Sequence, residues 1–213
     1  MMEKSPGVRP LGKSLLPGRH SGFSLVELMM SVVLLAIGTA IALPSFQDQV
    51  EKRQITNGAE QLAAFVNTAQ GFAMKTNQVI TISWSFTNSN DWCIGAIDSE
   101  SPCDCNVTSW SSDSYCKIDG DTYKLDDSMA TGRSLVHRVS GGDGAYAIDP
   151  VRGLLTDLDD SLSMELRSRS GDFRLNLRVN NAGRVTLCSD GADYAIPGYD
   201  VCPSSDIQVA EAY

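Results

Sequence analysis

The sequence has few of the residues and motifs on which most enzymes depend. It contains only two histidines, His20 and His137, among 213 residues. It contains no Gly-x-Ser-x-Gly turn, no Walker phosphate-binding loop and no His-Glu-x-x-His zinc motif. These absences exclude the hydrolases, nucleotide hydrolases and zinc proteases that those motifs define. We therefore expect no catalytic residue, no cofactor and no enzymatic activity.

Positive charge is also scarce, because 17 Lys and Arg residues face 26 Asp and Glu residues, for a net charge of −9. Residues 1–22 hold four of the basic residues and one acid, so the remainder of the chain carries a net charge near −12. An acidic surface of this kind favours solubility and disfavours nonspecific attraction to nucleic acid or anionic lipid.

One long apolar run is present, at residues 23–43, and Glu27 is its only charged residue. As a helix it would extend about 30 Å, the thickness of a bilayer's hydrocarbon core. A carboxylate there costs about 2.5–3.5 kcal/mol, so we expect Glu27 to have a use. The basic residues before the run predict a cytoplasmic amino end and a translocated remainder. Cleavage after Gly22 would remove the basic leader and leave the apolar helix in place.

The segment that joins leader and helix resembles the class III signal of type IV prepilins, and it reads Gly22-Phe23-Ser24-Leu25-Val26-Glu27. The resemblance implies cleavage between Gly22 and Phe23 by a prepilin peptidase, followed by N-methylation of Phe23. It also implies that Glu27 is the fifth residue of the mature chain, and we expect this acid to set the register between subunits. A plain signal anchor in which Glu27 is incidental is the alternative interpretation.

Six cysteines follow the apolar run: Cys93, Cys103, Cys105, Cys116, Cys188 and Cys202. An even number of cysteines in a domain predicted to be exported indicates disulfides. Cys188 and Cys202 lie far from the other four, so we expect them to pair with each other. The other four allow three pairings, which the sequence leaves open. No histidine lies near Cys103 and Cys105, and we expect no metal there.

Beyond the apolar run, Pro44 predicts a kink, because proline removes a helical hydrogen bond. Apolar residues then recur every three or four positions from Ile55 to Ala73, with Gln70 as the polar exception. Alternation predicts a strand at 79–86 and a loop follows at 88–115. The later predicted strands are 123–125, 135–139, 146–148, 162–167, 173–179 and 185–188, with a hairpin at 168–172.

These patterns predict an α+β fold in which a long amino-terminal helix packs on a mostly antiparallel β domain, and the resemblance to prepilins implies that this fold is pilin-like. The expected organisation is a leader at 1–22, a transmembrane and filament-core helix at 23–43, its amphipathic continuation at 44–76, and a disulfide-stapled β domain at 77–213.

Two further segments, residues 69–82 and 181–188, resemble the GspH/FimT family of type IV minor pilins and type II secretion pseudopilins. The resemblance implies a subunit held in the inner membrane by one span, with a periplasmic carboxy-terminal domain, that later joins a pilus. Its implied partners are other pilin or pseudopilin subunits, prepilin peptidase and the inner membrane. The alternatives are a tip subunit of a type II secretion pseudopilus and a pilin that binds DNA during uptake.

The DNA alternative depends on a group of five arginines that face one acid, Asp172, between positions 167 and 184: Arg167, Arg169, Arg174, Arg178 and Arg184. Alternation in strand 173–179 places Arg174, Asn176 and Arg178 on its outer face. Such a patch would contact phosphates, or the acidic surface of a neighbouring subunit. DNA-binding family members carry Gly-Arg-x-Arg, whereas this chain has Thr186 at the second arginine position. The sequence therefore favours assembly over DNA binding.

Two acidic clusters are candidates for calcium: Asp119 with Asp121, and Asp157 with Asp159 and Asp160. The first does not fit an EF-hand loop. We expect solvated turns at both positions and no metal site.

Overall fold

The structure is a computed structural model of the chain. It describes residues 22–88, 91–128, 136–140, 144–157, 161–191 and 193–203, and for residues 41–45 it describes the backbone alone. Apart from Gly22, the predicted leader lies outside the described residues. The chain divides into two compact units, Met1–Pro44 and Ser45–Tyr213, and each is considered by itself.

The helix α1, Leu25–Thr76, contributes residues to both units. In the first unit, every described side chain of the helix is exposed. The amide of Leu28 donates to the carbonyl of Ser24 at 3.1 Å, which closes the first turn. Ser31 donates its hydroxyl hydrogen to the Glu27 carbonyl at 2.8 Å. Hydroxyl side chains of this apolar helix, such as Ser31 and Thr39, thus donate hydrogen bonds to backbone carbonyls of the preceding turn.

In the second unit, α1 buries one stripe of small and branched apolar residues against the β domain. The stripe is at most 2% exposed and consists of Ile55, Ala59, Leu62, Val66, Ala69 and Ala73. Its alanines let strands approach the helix closely. The helix stops before Asn77, which adopts a positive φ of 53°, and the amide of Gln78 donates to the Ala73 carbonyl at 3.3 Å.

Two four-stranded antiparallel sheets surround this stripe. The described strands are β1 Ile80–Asn88, β2 Asp91–Ile97, β3 Lys117–Ile118, β4 Asp121–Thr122, β5 Lys124–Asp126, β6 Val136–Ser140, β7 Ala145–Ile148, β8 Leu162–Arg167, β9 Arg174–Val179 and β10 Val185–Ser189. The first sheet has the order β5-β2-β1-β7 and the second β10-β9-β8-β6, while β3 and β4 form a small ribbon. Ile82 and Ile94 from the first sheet and Met164 and Leu177 from the second meet in one core with the helix.

The predicted fold class is confirmed, because a long helix packs on antiparallel sheets. Strand β8 has the predicted bounds, and β8 and β9 form the predicted hairpin. The expected loop at 88–115 is wrong in its first part, where the whole of β2 pairs with β1. Strand β2 reads DWCIGAI and is buried on both faces after its first residue, so it lacks the alternation that marks a half-buried strand.

Among the residues searched, those that the structure describes, no helix combines the length and the apolarity that a membrane crossing requires. The side chains of residues 41–43, at the end of the predicted span, lie outside the described part. The kink at Pro44 and the four-part domain division stay predictions.

Candidate functional site

The beginning of α1 holds the residues predicted to be processed and to guide assembly. Gly22 and Phe23 precede the helix, and Phe23 is 77% exposed. Glu27 lies in the first helical turn, where a carboxylate interacts favourably with the helix dipole. Cleavage after Gly22 would create a new amino group four residues, about one turn, before the Glu27 carboxylate. Cleavage, methylation and the register role of Glu27 stay predictions.

The first half of α1 presents a continuous apolar surface. Its ten largest apolar side chains from Leu25 to Ile37 are each 55–74% exposed. Contiguous exposed apolar surface marks a contact with lipid or protein. Covering it stabilises the covered state by about 25 cal/mol per Å² of apolar area. This surface can therefore hold a subunit among neighbouring helices without specific polar contacts.

Near the amino end of the second unit, a cluster that we call the hairpin clamp ties α1 to the β8–β9 turn. Ser170 donates to Glu51 Oε2 twice, from its amide at 3.2 Å and from its hydroxyl at 2.5 Å. The hydroxyl bond is the largest reason that the pKa of the Glu51 carboxyl lies below its usual value. Beside it, Lys52 Nζ lies 4.6 Å from the centre of the Phe173 ring, in a cation–π contact.

Two tyrosines of the β domain form hydrogen bonds with the middle of α1. The hydroxyl of Tyr199 donates to Glu60 Oε1 at 2.9 Å. Burial, followed by this hydrogen bond, raises the pKa of Tyr199 to about 12. The hydroxyl of Tyr123 donates to the Phe65 carbonyl at 3.0 Å, and burial raises the pKa of Tyr123. Long side chains from the β domain thus reach the helix on both sides of its apolar stripe.

Gln70, the polar exception in the stripe, joins the two segments that carry the family resemblance. Its Nε2 donates to the Gly183 carbonyl at 2.5 Å. Gly183 has a φ of +71°, and a Cβ there would lie 2.6 Å from the Gly153 carbonyl oxygen. A side chain at this position therefore fits neither the backbone conformation nor the space. The Gly-Arg turn is thus locked to the helix, and Arg184 is exposed beside it.

The predicted arginine face exists, but much of it is occupied. Leu175 and Leu177 point into the core, as alternation predicts. On the other face, Arg174 Nη1 lies 3.3 Å from Asp190 Oδ2, and its guanidinium carbon lies 3.7 Å from the centre of the Tyr194 ring. Asn176 is only 8% exposed, under the loop that ends at Cys202. This part of the face is therefore covered by the chain's own loop.

The other arginines do not form one open basic surface. Arg167 Nε lies 2.5 Å from Glu165 Oε1. Arg169 and Arg184 are exposed, but they lie in the turns at opposite ends of β9. Desolvation, followed by the charge of Arg167, lowers the pKa of His137, so this neighbour adds little positive charge at neutral pH. Arg178 lies on the same face as Arg174 and is half-buried.

Disulfides connect all six cysteines, which confirms that they act as staples. Cys188 is bonded to Cys202, the pairing that the sequence favoured. The pairs left open by the sequence are Cys93–Cys105 and Cys103–Cys116. The bond from Cys93 ties residues 98–117, which we call the cystine lobe, to β2, and the Cys103–Cys116 bond closes the lobe internally. A side chain at Gly95 would collide with the sulfur of Cys116.

The cystine lobe belongs to the most acidic part of the described chain. Residues 91–128 hold nine Asp and Glu residues against two lysines. Trp110 is 50% exposed at the lobe surface, with its ring 5.3 Å from that of Tyr115. Tryptophan is one of the residue types that are enriched at protein contacts, so this exposed side chain marks the lobe as a candidate contact surface.

Of the acids that were candidates for calcium, Asp119 lies in the turn before β4, Asp121 begins β4, and Asp157 lies in a bend. Asp119 has a positive φ of 51°, and its amide donates to Asp98 Oδ2 at 3.3 Å. Among the residues that the structure describes, no group of three His, Cys, Asp or Glu side chains is placed to hold a metal ion. Asp159 and Asp160 lie outside the described residues. Between α1 and the sheets, Gly58, Leu62 and Trp92 line a cavity of about 10 Å³, room for one water molecule.

Sequence reasoning missed the contacts made by the helix's polar side chains. Glu51 and Glu60 belong to its solvent-facing pattern, and nothing local indicates that Ser170 or Tyr199 reaches them. Gln70 gave a usable signal, because a polar residue inside an apolar stripe needs a hydrogen-bonding partner. The sequence did not identify that partner, which lies 113 positions away.

Comparison with known proteins places these features in one class. Residues 18–43 match the prokaryotic N-terminal methylation motif, which covers Gly22, Phe23 and Glu27. A methylation motif, an apolar helix and an antiparallel β domain packed on its continuation together define a pilin-like subunit. Residues 58–197 match the family described as type II transport protein GspH. The chain belongs to this family.

Similar proteins match less than a third of this chain. A fimbrial protein of Pseudomonas aeruginosa is 30% identical over 62 residues, which cover 29% of this chain and 40% of that protein. A type IV major alpha-pilin of Moraxella bovis is 46% identical over 45 residues, which cover 21% of this chain and 28% of that protein. The chain thus spans two-fifths or less of these relatives.

Among solved structures, the type IV minor pilin FimU of Pseudomonas aeruginosa is similar to this chain with a TM-score of 0.43 and 15% identity. The match covers 68% of this chain and 98% of that one.

Proposed function

We propose that this chain is a minor subunit of a type IV pilus. In this proposal it enters the inner membrane through residues 23–43, with its β domain in the periplasm. Prepilin peptidase cuts between Gly22 and Phe23, Phe23 is N-methylated, and the subunit joins or primes a filament. The observation that carries the proposal is the exposed apolar half of α1, which lies within the residues that match the methylation motif.

The mechanism follows from the two environments that the first half of α1 must occupy. In lipid, a helix satisfies its backbone hydrogen bonds internally. On extraction, its apolar surface has to be covered by neighbouring helices, because exposure to water is costly. Glu27 then takes the amino group of Phe23 in an adjacent subunit as its partner. A charge pair inside a helix bundle fixes register more than it adds stability.

A subunit of a type II secretion pseudopilus is the second candidate. The match of residues 58–197 to a family described by type II transport favours it. Both machines would use the same processing and the same apolar helix. They differ in the structure with which the mature chain co-purifies: surface pili in one case and a periplasmic secretion complex in the other.

In either machine the chain acts as a structural subunit. Families of this class consist of filament subunits, and three disulfides together with a closely packed core suit a part that bears load. DNA contact through the arginine face is not favoured, because Glu165 and Asp190 already neutralise two of its members.

The test replaces Glu27 by Val and by Gln in the full chain, in the cell that produces it. We expect both variants to enter the membrane and lose residues 1–22, and to fall at least about tenfold in the purified filament or secretion complex. Thr39→Val, in the same helix, is the matched control and should assemble normally. Mass spectrometry reports cleavage and methylation, and immunoblotting reports incorporation. Normal incorporation of Glu27→Val would refute the register role, and an uncut chain would refute the processing.

A further inference from the structure

At the carboxy-terminal end of α1, three segments of the second unit meet in what we call the corner: Met74, Val151, Arg152 and Arg184. A Cβ at Gly153 would lie 3.1 Å from Met74 Sδ, and one at Gly183 would lie 2.6 Å from the Gly153 carbonyl oxygen. The helix end, the 149–153 turn and the 180–184 turn are therefore in direct contact. The lock between Gln70 and Gly183 holds them together.

The corner combines apolar exposure with positive charge. Val151 is 78% exposed and Met74 is 53% exposed, so both are among the most exposed large apolar side chains of the second unit. Arg184 is exposed. The Arg152 side chain is 71% exposed, and its ion pair with Asp149, at 3.3 Å, is a surface pair of little strength. Methionine and arginine are enriched at protein interfaces, where flexible apolar contact and charge pairing are used together.

The same chain carries a surface of complementary chemistry. In the cystine lobe, Trp110 is half-exposed, and the acids Asp104 and Asp113 of the same lobe are exposed as well. The lobe therefore offers an aromatic anchor among negative charges, and the corner offers apolar side chains among positive charges. Tryptophan and arginine are the residues that most often dominate the energy of a protein contact.

We propose that the corner is a docking site for the cystine lobe of a second copy of this chain. The two surfaces differ from each other, so the contact joins unlike patches. A contact of unlike patches leaves one patch free on each copy, where a further subunit of the filament can dock. This inference deepens the proposed filament function and rests on it.

Phosphate is a poorer occupant of the corner. Asp149 lies within the same turn as Arg152 and repels an anionic backbone. Met74 and Val151 would gain nothing against phosphate oxygens, whereas they match the Trp110 ring. The partner that fits both the charge and the apolar surface is therefore an acidic protein face with an exposed aromatic residue.

A photo-crosslinking amino acid at Val151, in the full chain and in the producing cell, tests the site. We expect a covalent dimer whose crosslinked peptide, identified by mass spectrometry, comes from residues 98–117 of the other copy. Arg152→Glu with Arg184→Glu should lower the dimer yield about tenfold, by charge repulsion. Co-expression of a copy carrying Asp104→Lys and Asp113→Lys should restore it. Arg53→Glu, an exposed arginine on α1 away from the corner, is the matched control and should change nothing.

Each other outcome counts against the docking site. A crosslink to a different subunit or to DNA, or no crosslink while the chain is cut at Gly22 and present in the filament, overturns it and leaves the proposed function standing. An uncut chain absent from any filament refutes the proposed function instead. The non-reduced mass of each variant verifies that its three disulfides are intact.

Discussion

The two halves of α1 share a helical backbone but differ in what covers them. Between residues 25 and 40 every side chain is exposed, including ten large apolar ones. Between residues 45 and 76 one stripe is buried, and polar residues on the flanks are fastened by Ser170, Tyr199 and Gly183. The first half is apolar around its circumference, whereas the second is apolar on one side.

This difference separates assembly from folding. A helix with a single apolar stripe is completed by its own domain, because one face is enough to meet a sheet. A helix that is apolar all round has no such solution within one subunit, so its stability depends on lipid or on other copies. Mutations in the second half should therefore change the stability of the isolated subunit, and mutations in the first half should change only its insertion and assembly.

The largest expected effect comes from a matched pair of leucines. Leu62→Ala removes a side chain that is 2% exposed, and we expect the free energy of unfolding to fall by about 2–5 kcal/mol through lost burial and a new cavity. Leu34→Ala, at a residue that is 68% exposed, should leave it unchanged. Urea unfolding of the detergent-solubilised full chain, followed by tryptophan fluorescence, measures both. Equal effects would show that the halves do not differ as described.

A smaller effect is expected where the second half is locked at its carboxy-terminal end. Gly183→Ala introduces a Cβ at φ +71° that collides with the Gly153 carbonyl, and it should cost about 1–3 kcal/mol. Gly191→Ala is the control, because Gly191 has a similar φ of +74° with open space around it. The difference between the two midpoints of unfolding isolates the close contact from backbone strain. Identical losses would mean that the close approach of residue 183 to the Gly153 carbonyl adds nothing to the backbone strain.

The smallest effect concerns the hairpin clamp and depends on pH. Glu51→Gln weakens the bonds from Ser170 and should cost about 0.5–1.5 kcal/mol at pH 7. The pKa of Glu51 in the folded protein lies below its usual value of 4.5, so its contribution is present above that value and is lost as pH falls through the lowered pKa. The difference in unfolding free energy between wild type and variant should therefore shrink as the pH falls below 4.5. Glu100→Gln, at an exposed acid of the lobe, is the control, and a difference that grew on acidification would contradict the assignment.

Local pattern was sufficient for much of the fold and for the amino-terminal motif. The spacing of Ile55, Leu62 and Val66 indicates the buried stripe, and alternation gives β8 and β9 nearly to the residue. Strand β2 was not predicted from the sequence, because both of its faces are buried and it therefore lacks alternation. The cysteines in and after it also suggested a loop. The arginine face was placed correctly along β9, but alternation carries no information about a loop that folds back over it.

By itself, the sequence determined the features that depend on neighbouring residues. These are the processing motif around Phe23, the apolar helix with its single acid, the stripe that follows, and the presence of disulfides. Only the tertiary structure decided which cysteines form disulfides with each other in the cystine lobe. It alone also showed that Arg174 pairs with Asp190 and stacks on Tyr194, and that Gln70 donates a hydrogen bond to Gly183. The physical reason is that such contacts join residues far apart in the chain, and their distances depend on how the sheets and loops pack around the helix.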